Sequence, residues 1–151
     1  MIRPATPDDL PNVIAMGRSF FEEAGYQAEF AAQGGFDAAD FEETARTLIR
    51  VGLLFVLDNG AGAVGMAGAD VAKAFWNRKV SLGGEVFWYI MPMHRRGAGK
   101  ELLRAIETAA RNYGALRFDV VAETGKRSKE LARLYCGQGY VESEIRFRKV
   151  L

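Results

Sequence analysis

Residues 85–103 read Glu-Val-Phe-Trp-Tyr-Ile-Met-Pro-Met-His-Arg-Arg-Gly-Ala-Gly-Lys-Glu-Leu-Leu, and three kinds of local structure succeed one another within them. Val86 to Met91 is a run of bulky β-formers, and Pro92, which has no N–H for a ladder, ends it. His94 to Lys100 is a basic turn carrying two glycines. Beyond it Leu102, Leu103, Ile106, Ala109, Ala110 and Tyr113 return to one face at helical spacing. A strand, a Gly-rich basic turn and a helix N-terminus in that order make an anion site. The first N–H groups of the helix have no partner within it, and the macrodipole leaves positive charge there. Gly97 and Gly99 allow close approach to the backbone, while Arg95, Arg96 and Lys100 add formal charge.

The spacing excludes two common phosphate-binding fingerprints. Lys100 follows only Gly-Ala-Gly and precedes Glu101, so G-x-x-x-x-G-K-[ST] is absent. Leu102 stands where G-x-G-x-x-G needs its third glycine. Composition narrows the function classes further. A chain of 151 residues predicts one domain, 1–151, able to bury about two-thirds of its unfolded surface. Twenty basic residues against nineteen acidic ones argue against a dedicated nucleic-acid binder. The single cysteine, Cys136, excludes an internal disulfide and fits a reducing, cytoplasmic compartment. With one histidine beside it there are too few soft ligands for a structural zinc, and no metal is expected. No apolar stretch of membrane-spanning length is present, so no membrane partner is expected.

Working outward, Ile2 to Ala5 predicts a short edge strand. Thr6-Pro7-Asp8-Asp9 is a helix start, with Thr6 as N-cap, Pro7 at the first helical position and Asp9 closing a capping box. Leu10, Val13, Ile14, Gly17, Phe20 and Phe21 share a face, and Gly25 stops the helix. Residues 25–37 read as loop. Asp37 caps a second helix, which buries Phe41, Ala45, Leu48 and Ile49 and ends at Gly52. Leu53 to Leu57 and Ala63 to Val71 are strands joined by Asp58-Asn59-Gly60-Ala61-Gly62. Lys73 to Leu82 is predicted as a longer connection into the strand at 86–91. After the basic turn and its helix, Leu116 to Ala122 is a strand and Glu123-Thr124-Gly125 a turn. A short helix then carries Leu131, Leu134 and Tyr135. Tyr140 to Val141 and Ile145 to Val150 close the chain as strand. The predicted class is α/β (α+β), in the order β-α-α-β-β-β-α-β-α-β.

His94-Arg95-Arg96-Gly97-Ala98-Gly99 resembles the acetyl-CoA signature [RQ]-x-x-G-x-[GA] of the GNAT superfamily of N-acetyltransferases, with His at the first position. A second family pattern, N-x-x-x-x-x-L-Y-x-x-x-G-[FY], is similar to Ser128 through Leu134-Tyr135-Cys136-Gly137-Gln138-Gly139-Tyr140, with Ser in place of Asn. The order of elements is the GNAT order over essentially the whole chain. The resemblance implies a GNAT fold: a central mixed, mostly antiparallel sheet flanked by helices on both faces. It implies acetyl transfer from acetyl-CoA to a primary amine directly, in a ternary complex, the acceptor being a small-molecule amine or a peptide or protein amine. By the same resemblance, Ile90 and Met91 hold the pantetheine arm and supply an N–H to the thioester carbonyl. The pyrophosphate lies on Arg95, Arg96, Gly97, Ala98, Gly99 and Lys100, and Ser128 occupies a cofactor-side position.

An amine nucleophile must lose a proton and the departing thiolate must gain one. The resemblance makes Tyr135 the general acid; a half-buried packing tyrosine is the other reading. Glu85 is the candidate base. By period two it shares a face with Phe87, Tyr89 and Met91, and desolvation at the start of an apolar strand would raise its pKa. A solvated strand end beside Gly83-Gly84 is the alternative. His94 sits by phosphate rather than by the thioester, and Cys136 reads as a packed thiol. Acceptor recognition is expected in Phe20 to Phe36 and Lys73 to Leu82, whose aromatics could equally be core or a dimer contact. A homodimer is compatible with this content. The alternative function is a non-catalytic CoA-binding or sensing module.

Overall fold

The computed structural model describes residues 1–95, 97–122 and 128–149. The chain divides into two compact units, Met1–Asp119 and Val120–Leu151.

The first unit holds a five-stranded sheet in sequential order: β1 (Ile2–Pro4), β2 (Leu54–Asp58), β3 (Ala63–Ala74), β4 (Asn77–Ile90) and β5 (Phe118–Asp119). The first three pairings are antiparallel and the β4–β5 pairing is parallel. The sheet is therefore mixed and mostly antiparallel. Its helices are α1 (Leu10–Glu23), α2 (Tyr26–Glu29), α3 (Ala38–Arg50) and α4 (Ala98–Asn112).

Strand pleating sorts the core into two layers. Cross-strand partners share a face, so Leu54, Val56, Met66, Gly68, Phe87 and Tyr89 lie on one side. There they meet Leu10, Val13 and Met16 of α1 and Ala45 and Leu48 of α3 in one buried cluster. Gly17 lets the two helices touch: a Cβ there would sit 2.5 Å from the Phe41 ring. On the other side, α4 buries Leu102, Leu103, Ile106 and Ala110, while Tyr113 at its end is exposed.

Local signals hold where they are strong. Asp37 accepts bonds from the N–H groups of Ala39 and Asp40 at 2.8 and 3.0 Å, as an N-cap should. The Thr6–Asp9 box forms as a 3-10 turn, Pro7–Asp9, leading into α1. Asp9 does more than cap. Its carboxylate is buried, takes the Thr6 N–H at 2.8 Å, and receives Arg3 through two bonds of 2.8 Å. Arg3 also reaches Asp58 at 2.7 Å, tying β1 and the end of β2 to the head of α1.

Three predicted elements differ. Lys73 to Leu82 is not a connection. β3 and β4 continue into it and join through a two-residue turn, Phe75-Trp76, with both rings exposed. Turn chemistry gives no warning, since neither residue is Gly or Asn. The strand predicted over Leu116 to Ala122 pairs only at Phe118 and Asp119. Loop residues 25–37 contain two single turns, Tyr26–Glu29 and Ala31–Gln33.

In the second unit α5 (Ser128–Cys136) is followed by Gly139 at φ +92°, a left-handed position suited to ending a helix. Tyr140 folds back, its N–H reaching the Tyr135 carbonyl at 3.1 Å. The predicted last strand does not form: residues 140–149 belong to no strand, and 141–149 are exposed. The alternation of Ile145 and Phe147 with Arg146 and Arg148 supplies a strand's side-chain pattern but not the neighbouring strand a ladder needs. Cys136 is exposed rather than packed.

The Arg3 bonds, helped by Thr6, hold the Asp9 carboxyl down to about 2, against burial that works the other way. A carboxylate with a depressed folded pKa contributes stability above its ordinary value of 3.8, and that contribution disappears as pH falls through about 2. The contribution is on the order of 2 kcal/mol. Urea unfolding of wild type and Asp9→Asn should therefore show a gap near pH 6 that closes between about pH 4 and pH 2. A gap independent of pH would remove the ionised Asp9 from the account.

Candidate active site

The Gly-rich turn and the end of β4 form one piece of structure in the first unit. β4 stops at Ile90, a 3-10 turn covers Pro92–His94, and α4 begins at Ala98. Gly97 is the N-cap of α4 at φ +86°, and among the described residues no side chain caps the helix. Only a glycine holds that conformation without strain, and a Cβ there would meet nothing within 4 Å. The first N–H groups of this fifteen-residue helix have no partner within it. Lys100 is exposed in the first turn. Arg96 lies outside the described residues.

Gly99 serves a different purpose. A Cβ on it would stand 2.9 Å from Cζ2 of Trp88, so its bare Cα is what lets α4 lie down on β4. The two glycines of one short motif therefore divide the work. Gly97 shapes the cradle and Gly99 seats the helix.

The main-chain direction of β4 follows from one bond. The Met91 N–H donates to the Val64 carbonyl at 3.0 Å, so Met91 is turned toward β3. In an antiparallel ladder the next residue points the opposite way. Ile90 accordingly faces the outer edge, and its carbonyl accepts a bond from Arg95 Nε at 2.8 Å. The same alternation aims the main chain of Trp88 outward. Of the two residues expected to present an N–H, Ile90 has the right direction, whereas the Met91 N–H is engaged inside the sheet.

On that outer side β5 pairs with β4 at Gly83 and Gly84 only. Immediately afterwards the β3 register slips. Gly68 pairs with Phe87 but Ala69 pairs with Glu85, leaving Val86 as an extra residue on β4. This bulge interrupts the period-two count, so Glu85 does not share the face of Phe87 and Tyr89 by simple alternation. Gly83, two residues before Glu85, faces α4, where a Cβ would stand 3.0 Å from Phe118 and 3.4 Å from Ala110. Glu85 itself is half-buried where both irregularities meet.

Arg95, expected on phosphate, turns back into its own unit. Besides Ile90 it binds Glu23, the last residue of α1, at 2.5 Å, and its guanidinium carbon lies 5.4 Å from the centre of the Tyr89 ring. The Glu23 bond raises its pKa further, keeping it a permanent cation. His94 is half-buried, its N–H bonded to the Met91 carbonyl at 2.8 Å. Sequence reading missed both the Glu23 partnership and the seat of Gly99 on Trp88, because neither partner lies nearby in the chain.

Tyr135 and Ser128 are in the second unit. Ser128 begins α5 and is half-buried. Tyr135 is buried, packs its ring 5.7 Å from that of Tyr140, and donates its hydroxyl to the Val121 carbonyl at 3.2 Å. Among the described residues no group of His, Cys, Asp and Glu could hold a metal ion, and no helix is long and apolar enough to cross a membrane.

A sequence profile of the acetyltransferase (GNAT) family matches residues 16–138. The chain belongs to that family. Its members are acetyltransferases that in general use acetyl-CoA and amine acceptors. Comparison with functionally curated proteins finds no match. Among solved structures, a GCN5-related N-acetyltransferase from Ralstonia eutropha JMP134 is similar with a TM-score of 0.73 at 22% identity, over 99% of this chain and 97% of that one. An aminoglycoside antibiotic 6'-N-acetyltransferase from Acinetobacter haemolyticus aligns over 100% and 99% at 16% identity, TM-score 0.68. An aminoglycoside acetyltransferase from an uncultured soil metagenomic sample, solved in complex with sisomicin, aligns over 100% and 95% at 20% identity, TM-score 0.68. These likenesses establish the GNAT fold.

The division between the two glycines is testable. Gly99→Ala should lower stability by about 1–2 kcal/mol, through displacement of Trp88. Denaturant unfolding monitored by tryptophan fluorescence measures both the loss and the altered Trp88 environment. An unchanged midpoint and spectrum would show that α4 does not need that contact.

Proposed function

We propose that this GNAT acetyltransferase moves acetyl from acetyl-CoA directly to a primary amine in a ternary complex. One observation carries the reading. The outward-facing edge of β4 at Ile90 leads, through a single turn, into a helix N-terminus that begins at Gly97 and has no side-chain cap among the described residues. An extended arm ending in phosphates needs those two features in that order.

Acetyl-CoA, when bound, supplies the acyl thioester. The Ile90–Met91 segment holds the pantetheine arm, with the Ile90 N–H as the donor aimed outward. The turn from Arg95 to Lys100 receives the pyrophosphate: Gly97, Ala98 and Gly99 offer main-chain N–H groups, and Arg96 and Lys100 offer charge. Glu85, at the bulge, takes the proton of the attacking amine, directly or through water. Tyr135 returns a proton to the thiolate, for which its hydroxyl must exchange the Val121 carbonyl for the sulfur. Ser128, first residue of α5, belongs to the cofactor side.

The chain is read as one acetyltransferase domain, 1–151, which the family match running across both units supports. The exposed lone thiol of Cys136 fits a reducing, cytoplasmic setting. A homodimer would give cover to apolar side chains such as Ile145 and Phe147. The acceptor is an amine on a small molecule or a polypeptide. A screen should begin with aminoglycosides, since two of the similar structures act on them, and extend to polyamines and peptide N-termini. A second reading, a CoA-binding or sensing module without turnover, is favoured by one observation: the Tyr135 hydroxyl is bonded to a carbonyl.

Calorimetric titration with acetyl-CoA and CoA tests the cofactor site. Wild type should bind and Gly97→Glu should not, because a carboxylate would project into the space an anion needs. Equal affinity for both proteins would sink the site. Tyr135→Phe should bind CoA as wild type does and slow transfer by about 10- to 100-fold. An unaltered rate would return Tyr135 to a packing role, and the absence of turnover across the whole amine panel would favour the sensing module.

A further inference from the structure

Arg95 joins three parts of the first unit that are far apart in sequence. Its Nε fixes the carbonyl of Ile90, the last residue of β4. Its guanidinium carbon lies 5.4 Å from the centre of the ring of Tyr89, the residue before Ile90. Its Nη2 reaches Glu23 at the end of α1, seventy-two positions away. The aromatic contacts follow the same line. Phe20 of α1 meets the Tyr89 ring edge-on at 6.4 Å and meets Tyr26 at 6.4 Å, while Tyr26 and Phe36 both contact Phe21. The segment after α1, from Gly25 to Phe36, is thus linked through Phe20 to the same strand end that Arg95 holds.

We propose that Arg95 and Glu23 are positioning residues: a brace that sets the outer edge of β4 for the cofactor arm and couples it to the segment following α1. The inference rests on the acetyl-CoA reading of that edge. Arg95 acts through Ile90 rather than by touching phosphate. A bond to the Ile90 carbonyl fixes the Ile90–Met91 peptide plane, and the Ile90 N–H, in the preceding plane, points to the same side by strand geometry. The brace therefore controls the direction of the donor the acyl carbonyl would meet. Coupling between two binding regions is reciprocal, so an acceptor seated against Gly25–Phe36 tightens the cofactor site, and the cofactor does the same for the acceptor.

The decisive variant is Glu23→Ala, which lies outside the phosphate cradle. Removing a negative charge from a helix C-terminus and placing alanine there both favour the helix, so weakened binding could not come from loss of α1. Calorimetry with CoA should show Glu23→Ala and Arg95→Ala each weaker than wild type by about 5-fold, the scale of a partly exposed ion pair. The double variant should be no weaker than Arg95→Ala alone. If Arg95 served phosphate directly, releasing it from Glu23 would leave affinity unchanged or tighten it. That result overturns the brace, as does simple additivity in the double variant.

Amide hydrogen exchange on the ligand-free protein reads the brace without any cofactor. Glu23→Ala should accelerate exchange at Met91 and His94, whose N–H groups are bonded at the end of β4. Acceleration confined to residues 20–25 would overturn the proposal. Failure of wild type to bind CoA would sink the acetyl-CoA reading, while exchange would still decide whether the brace exists.

Discussion

β4 carries ladder partners on both sides at Gly83 and Gly84 and, among the described residues, on the β3 side alone beyond them. A strand bonded on both sides has no main-chain groups to offer, whereas one bonded on a single side presents every second residue to a ligand. The change of state falls within two residues of the register slip at Val86. Gly83 and Gly84 permit the close approach of β5, since a Cβ on Gly83 would stand 3.0 Å from Phe118. The bulge then redirects the strand. The outward-facing Ile90 carbonyl that accepts the Arg95 bond lies on the strand end that follows.

That edge would be of little use without a fixed relation to the helix after it. The relation is set by packing, through Gly99 against Trp88 and the buried row Leu102, Leu103, Ile106 and Ala110. It is set again by polar bonds through Arg95. The turn at Gly97 is therefore fixed by apolar contact on one part and by a cation on another. Such double constraint orders the main chain of the turn before any partner arrives. On the opposite face of the sheet, α1 and α3 add Leu10, Val13, Met16, Ala45 and Leu48 to the buried cluster. The Arg3–Asp9–Asp58 group fastens the head of α1 to the first two strands.

Much of this was legible in the chain. Thr6-Pro7-Asp8-Asp9 and Asp37 to Asp40 announced their helices because a cap is a bond between residues two or three positions apart. The Gly-Ala-Gly turn announced a helix N-terminus because strand, turn and helix are contiguous. Tyr135 was placed on a helix by its Leu131 and Leu134 neighbours, and the structure puts it there, buried. The turn at Phe75-Trp76 was not legible, since two aromatic residues occupy positions where turn geometry usually calls for Gly or Asn. The last strand failed for the converse reason: period-two alternation in 145–148 describes side chains, and a strand also requires a neighbour.

The sequence by itself determined the order of elements from β1 to α5, most of the core and the family. All of these depend on periodicity, caps and turns that act within about a dozen residues. Only the tertiary structure decided that Ile90 and not Met91 faces outward, that Glu85 leaves the face of Phe87, and that Arg95 answers to Glu23. Those three facts depend on which distant backbone or carboxylate completes a hydrogen bond. The Val64 carbonyl, the slip opposite Ala69 and the end of α1 reach β4 and its turn only once the chain has folded.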